Sequence, residues 1–159
     1  MKIRSVSANN RRKAFEVKTA SGVYAFPYVQ ADPCPTSSDA IVGLLVDLEL
    51  GREAFTYTLA SGREGSVHVD RVLEYNQDPG YLRDALLYQL TIEAQKRVAA
   101  SPLSKREIVR RLGTSATQFY RLLDQTNTRK SVDRLLALLH VLDCEVELVV
   151  RTKRPRVAA

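Results

Sequence analysis

The hydrophobic pattern of this chain changes period once, near Asn76. Before it, apolar residues alternate with polar ones; after it, they recur every three or four positions. In "KAFEVKTASGVYAFPYV", Phe15, Val17 and Thr19 alternate with polar neighbours, and the chain turns at Ala20-Ser21-Gly22. Tyr24 and Phe26 then resume the pattern. Two period-2 runs around a glycine that tolerates positive φ predict a β-hairpin. The text returns forty residues later as "EAFTYTLASGREGSVHV", where Ala54, Phe55, Ala60, Ser61 and Gly62 repeat Ala14, Phe15, Ala20, Ser21 and Gly22. Two copies predict a duplicated hairpin, since a solenoid needs about three repeats or more. Between them "ADPCPTSSDA" reads as a loop and "IVGLLVDLEL" as a strand, with residues 3–6 as an edge strand. The expectation for residues 1–78 is a small antiparallel β-domain of about five or six strands.

Helical spacing begins at Asp78, a good N-cap, followed by Pro79, whose missing N–H costs nothing in the first turn. Leu82, Leu86, Leu90, Ala94 and Val98 then predict a helix reaching residue 99. The stretch "SKREIVRRLGTSATQFYRLLD" predicts two short helices. Ser104 with Glu107, and Ser115 with Gln118, have capping-box spacing, and Leu103 is placed as a staple on Ile108. Ile108, Val109 and Leu112 form one buried stripe; Phe119, Leu122 and Leu123 form another. Gly113 between them suits a left-handed helix end. A Ser131-capped helix follows, with Val132, Leu135, Leu138, Leu139 and Leu142 inward. "CEVELVV" then reads as a terminal strand with Val146, Leu148 and Val150 on one face, which requires a partner edge in the first half or in a second subunit.

Charge sharpens this division. The 159 residues carry a net charge of +6. Residues 1–80 hold nine Lys and Arg against ten Asp and Glu, and residues 81–159 hold fifteen against eight. A basic second half points to a polyanionic partner. The start "MKIRSVSANNRRKAF" lacks a secretory apolar core, and no apolar run reaches the ~18 residues of a membrane span, so the expected location is the cytoplasm. Cys34 and Cys144 read as reduced, packed thiols. Enzymatic signatures are missing: there is no phosphate-cradling glycine loop, no HExxH and no GxSxG. His68 reads as exposed sheet surface, His140 as a packing residue, and Glu145 and Glu147 as alternation on a strand. A non-enzymatic protein with no cofactor and no metal is expected.

The capped first helix from Ser104, the Leu112-Gly113 turn, Thr114-Ser115, apolar Phe119, Arg121 and the continuation "NTRKSVDRLLALLHVLD" resemble the Cro/C1-type (XRE) helix-turn-helix family across residues 81–142. The resemblance implies an α+β chain in which the N-terminal antiparallel β-domain precedes an all-α, lambda-repressor-like domain (79–150) with a terminal strand, then a basic tail (151–159). It implies a transcriptional regulator of the repressor kind, associated with the nucleoid, binding double-stranded DNA as a homodimer. By position, Ala116, Thr117, Gln118, Tyr120 and Arg121 would read bases, while Ser104, Lys105, Ser115, Arg129 and Lys130 would hold phosphates. An alternative is an antitoxin-like protein that grips a partner toxin through the β-domain and represses its own operon.

Overall fold

The alternating stretches become strands where their apolar sides find cover. In the computed structural model, which describes residues 1–153, the chain is α+β, with two three-stranded antiparallel sheets and five α-helices among the described residues. It divides into two compact units, Met1–Arg83 and Asp84 onward.

In the first unit, β1 (Ile3–Asn9), β2 (Ala14–Thr19) and β3 (Val23–Pro27) form one meander, and β4 (Ile41–Val46), β5 (Ala54–Leu59) and β6 (Glu64–His68) form the other. The repeat therefore extends beyond a hairpin: each copy is a full three-stranded sheet. Phe15 and Phe55 occupy the same place in the two copies, Phe15 pairing with Phe26 and Phe55 with Val67. Their rings meet at 4.9 Å, and Tyr28 and Tyr57 pack on Phe15 at 4.9 and 5.1 Å. All four side chains are buried, so the duplicated sheets share one core, centred on equivalent residues. Burial of each such aromatic is worth roughly 1.5–3 kcal/mol.

Several expectations change. The stretch "IVGLLVDLEL" is a strand only through Val46. Asp47 then takes the Leu50 N–H on its carboxylate at 3.0 Å, and Gly51 and Arg52 turn with φ of +62° and +67°. The first strand runs to Asn9, with Ile3 fully buried at its start. The first unit is not purely β. His68 ends β6 and caps α1 (Val69–Asn76), its Nδ1 accepting the Asp70 N–H at 3.3 Å. Alternation had placed Val69 on a strand, but Val69, Val72 and Leu73 fit a helical face equally well, and the core takes them in that form.

Asp78 begins α2 (Pro79–Ala100), its carboxylate accepting the Tyr81 N–H at 3.0 Å and the Tyr24 hydroxyl at 2.8 Å. The division between units falls inside this helix, after Arg83, about one turn beyond the boundary read from the sequence. Its buried stripe is Leu87, Thr91, Ala94 and Val98, whereas Leu86 is exposed. Thr91 satisfies its buried hydroxyl by donating to the Leu87 carbonyl at 2.6 Å. No helix among the described residues is long and apolar enough to cross a membrane.

The second unit continues with α3 (Lys105–Leu112), α4 (Ala116–Leu122) and α5 (Val132–Val141). Ile108, Phe119, Leu122, Leu135, Leu138 and Leu139 close its core with the α2 stripe. Val132 faces solvent, and Leu142 is half-buried. Residues 144–150 form no strand, contrary to expectation: an extended segment becomes a strand only against a paired edge, and no strand among the described residues pairs with it. Of the expected basic tail, residues 154–159 lie outside the described residues. Cys34 and Cys144 are free thiols, each half-buried.

One pairing in the first core is tight enough to test. Tyr57 lies opposite Gly65, and a Cβ at Gly65 would overlap the Tyr57 ring. That ring is fully packed, with its hydroxyl donating to the Pro33 carbonyl at 2.6 Å. Gly65→Ala should therefore destabilise the first unit by roughly 1–3 kcal/mol through overpacking, read as a lower urea midpoint; an unchanged midpoint would show that the ring has room to move.

Candidate nucleic-acid interface

Eight- and seven-residue helices have little intrinsic stability, so their ends must be closed by other groups. At the start of α3, Ser104 is extended (φ −67°, ψ 154°) and its hydroxyl accepts the Glu107 N–H at 3.1 Å. The reciprocal half of the expected capping box is not made. Glu107 instead accepts from Arg110 Nε and Arg111 Nε, both at 2.9 Å. Two guanidiniums three and four residues on are stronger partners than one backbone amide. They hold the Glu107 carboxyl down at about 2, Arg110 contributing most.

Gly113 ends α3 in the left-handed region (φ 66°, ψ 38°). Its N–H reaches the Arg110 carbonyl at 3.1 Å, and the Thr114 N–H reaches Val109 at 3.3 Å, the double closure of a Schellman turn. Ser115 then caps α4, accepting the Gln118 N–H at 3.2 Å. Phe119 and Leu122 point inward. At about 100° per residue, Ala116, Thr117, Tyr120 and Arg121 fall on the opposite side, and Gln118 on its flank. All five are exposed. Lys105, from the start of α3, sits 5.8 Å over the Tyr120 ring, which meets Phe119 edge-on at 5.5 Å. The expected base-reading residues and Lys105 thus form one surface.

Beside it lies a shallow cleft of about 600 Å³, whose lining includes Gln118, Arg121, Asn127, Arg129 and Arg134. Arg129 is exposed, and its backbone N–H is held by Asn127 Oδ1 at 3.1 Å. Arg134 reaches Thr114 Oγ1 at 3.5 Å. Asn127 and Arg134 were not anticipated as site residues. Arg134 had a legible signal, because a cation in the first turn of a helix opposes the helix dipole and calls for an anion nearby. Ser131 stands at the N-cap of α5 without capping it. The Asp133 carboxyl is held below its ordinary value, the Ser131 hydroxyl being the leading cause.

Lys130 is the expected phosphate contact that the fold withdraws. It is 8% exposed, and its Nζ donates to the carbonyls of Leu122 at 2.9 Å and Asp124 at 2.6 Å. The end of α4 leaves carbonyls without helical donors, and Lys130 supplies them. Burial pushes its pKa down, opposed by the Asp124 charge. Gln95 from α2 adds a further clamp, donating to the Leu123 carbonyl at 2.7 Å.

This surface is rich in hydrogen-bond donors, with the Asp124 carboxylate also on the cleft lining. Guanidiniums, hydroxyls and an amide converge on one side, suited to phosphate oxygens and base edges. The chain matches no protein-family model, no curated protein and no solved structure. The residues themselves carry the reading.

Lys130→Met should cost roughly 1–3 kcal/mol of stability by leaving two carbonyls unsatisfied, seen as a lower Tm, while leaving the salt dependence of any DNA binding unchanged. A reduced salt slope with unchanged Tm would place Lys130 on the ligand instead. Glu107 makes a pH-dependent contribution. Its carboxyl is depressed from 4.5 to about 2 in the folded chain. The stabilisation is thus present above about pH 4.5 and lost as pH falls toward 2. Glu107→Gln should flatten that part of the acid-denaturation curve, followed by circular dichroism.

Proposed function

We propose that the second unit is a helix-turn-helix DNA-binding module of the Cro/C1 kind and that the chain is a sequence-specific transcriptional regulator, acting as a repressor in the cytoplasm. In this reading a mainly β N-terminal domain precedes a lambda-repressor-like helical domain. The observation that carries it is the outward face of α4: Ala116, Thr117, Tyr120 and Arg121 exposed beside the arginine-lined cleft. A helix of about 10–12 Å diameter fits the major groove, where Arg121 suits guanine O6 and N7, Thr117 and Gln118 suit base edges, and Ala116 suits a thymine methyl. Tyr120, with Lys105 over its ring, adds a further base-reading side chain on the same face, while Ser104, Lys105, Ser115, Arg129 and Arg134 supply the phosphate contacts.

One feature favours the antitoxin-like reading as a second choice. Val42 and Leu45 of β4, with Leu48 and Leu50 of the following turn, are all more than half exposed. Four exposed apolar residues within nine positions suit a protein partner. Both readings use the α4 face for DNA, so they differ in what the first unit holds.

The deciding measurement is titration onto duplex DNA at about 50 and about 200 mM salt, followed by selection of preferred sequences. Binding should be strong at the lower salt and fall steeply at the higher, because each phosphate contact releases counterions. Arg129→Ala should weaken all sequences alike and lower the salt slope by about 1. Arg121→Ala should cost about 1–3 kcal/mol and relax the preference at one base pair. No binding at the lower salt would sink the nucleic-acid reading.

A further inference from the structure

The segment after α5 has an unusual combination of order and isolation. The helix ends on Asp143 in the left-handed region (φ 56°), with the Asp143 N–H on the His140 carbonyl at 3.0 Å and the Cys144 N–H on Leu139 at 2.9 Å. The chain thereby leaves the helix at a defined point. Beyond it, residues 145–153 make no backbone hydrogen bond among the described residues. Leu148 and Val150 are 86% and 85% exposed, and Val146 and Val149 are exposed as well. Glu145, Glu147, Arg151 and Lys153 form no ion pair among the described residues. In an extended chain, Val146, Leu148 and Val150 occupy one side, and Glu145, Glu147, Val149, Arg151 and Lys153 the other.

The order of charges on that second side is antisymmetric: acid, acid, valine, base, base. We propose that residues 145–153 pair antiparallel with the same segment of a second copy, across a two-fold axis at Val149. This register sets Glu145 opposite Lys153 and Glu147 opposite Arg151, each twice. On the other side it sets Leu148 opposite Val150. Every charged residue of the segment then has an opposite partner, and the unsatisfied backbone groups gain a ladder.

Competing registers fail on the same residues. Centring the pair on Val146 puts Glu145 opposite Glu147, and centring it on Glu147 puts that side chain opposite itself. Like charges directly opposite are destabilising. Centring on Leu148 leaves Glu147 opposite Val149 and needs Asp143, which the helix end holds out of extended conformation. A shift by one residue sets apolar side chains opposite charged ones. Parallel in-register pairing stacks each glutamate on its own copy. The inference goes beyond the DNA reading and does not need it; a two-fold assembly would, however, present two α4 helices to a palindromic site.

The test is cysteine crosslinking of the full chain in a Cys34→Ser, Cys144→Ser background, without DNA. A two-stranded ribbon is marginal alone, so the dimer should be concentration-dependent and the crosslink, which traps it, is the sensitive readout. Val149→Cys should give a disulfide dimer on mild oxidation. Leu148→Cys and Val150→Cys should each crosslink poorly alone, because diagonal neighbours lie at about 7–8 Å, beyond disulfide range, yet crosslink when mixed. Glu147→Arg and Arg151→Glu should each suppress the Val149→Cys crosslink, and the two together should restore it. Residues 147–151 are exposed, and circular dichroism checks that each variant, with the half-buried Cys34 and Cys144 replaced, keeps its fold. Absence of the Val149→Cys dimer at high protein concentration, a different crosslinking pattern, or failure of the double reversal to rescue would overturn the proposal.

Discussion

The second unit depends on closing the ends of helices too short to stand alone. An eight-residue α3 and a seven-residue α4 expose about as many end groups as they pair internally. Ser104, the Gly113 turn, Ser115 and Lys130 satisfy those ends in chain order. Ile108, Phe119 and Leu122 then anchor the two helices to α2 and α5. With both termini of α4 and its inner side committed, its outward side is the part left to meet a ligand. The exposure of Ala116, Thr117, Tyr120 and Arg121 follows from what the rest of the helix must do.

The same accounting changes the electrostatic picture. Fifteen basic residues beyond residue 80 suggest a uniformly cationic half, but the fold disposes of several locally. Arg110 and Arg111 share Glu107, Lys130 neutralises helix-end carbonyls, and Lys105 rests on Tyr120. Arg121, Arg129 and Arg134 line one cleft together with Asp124. Location, rather than net charge, is the argument for a polyanion partner.

The first unit shows how a duplicated sequence builds one core. Val17 lies opposite Tyr24 in the first sheet, while in the second Tyr57 lies opposite Gly65. The large ring changes strand between copies, from the third strand of the first sheet to the middle strand of the second. Such divergence is visible as text, but its purpose is visible only once the two sheets face each other. The half-exposed apolar residues of β4 and its turn are what this arrangement leaves uncovered.

Local chemistry was legible in the residues themselves. The hairpin repeats, the Asp78, Ser104 and Ser115 caps, the left-handed Gly113 and the inward Phe119 all depend on neighbours within about five positions, and periodicity and capping rules act over that range. What required tertiary structure involves distant groups. His68 became a helix cap because the core accepts Val69, Val72 and Leu73 as a helix. Leu86 was displaced from the α2 stripe by Leu87 and Thr91 because the helix packs on a different side from the one the leucines suggest. Ser131 stands at the N-cap of α5 without capping it. Lys130, indistinguishable from Arg129 as a basic loop residue, was drawn inside by two carbonyls six and eight residues back, and residues 144–150 lost their strand for want of an edge. Sequence determined which local structures were available; the fold decided where each side chain's hydrogen bonds went, because that depends on which unsatisfied groups packing brings within reach.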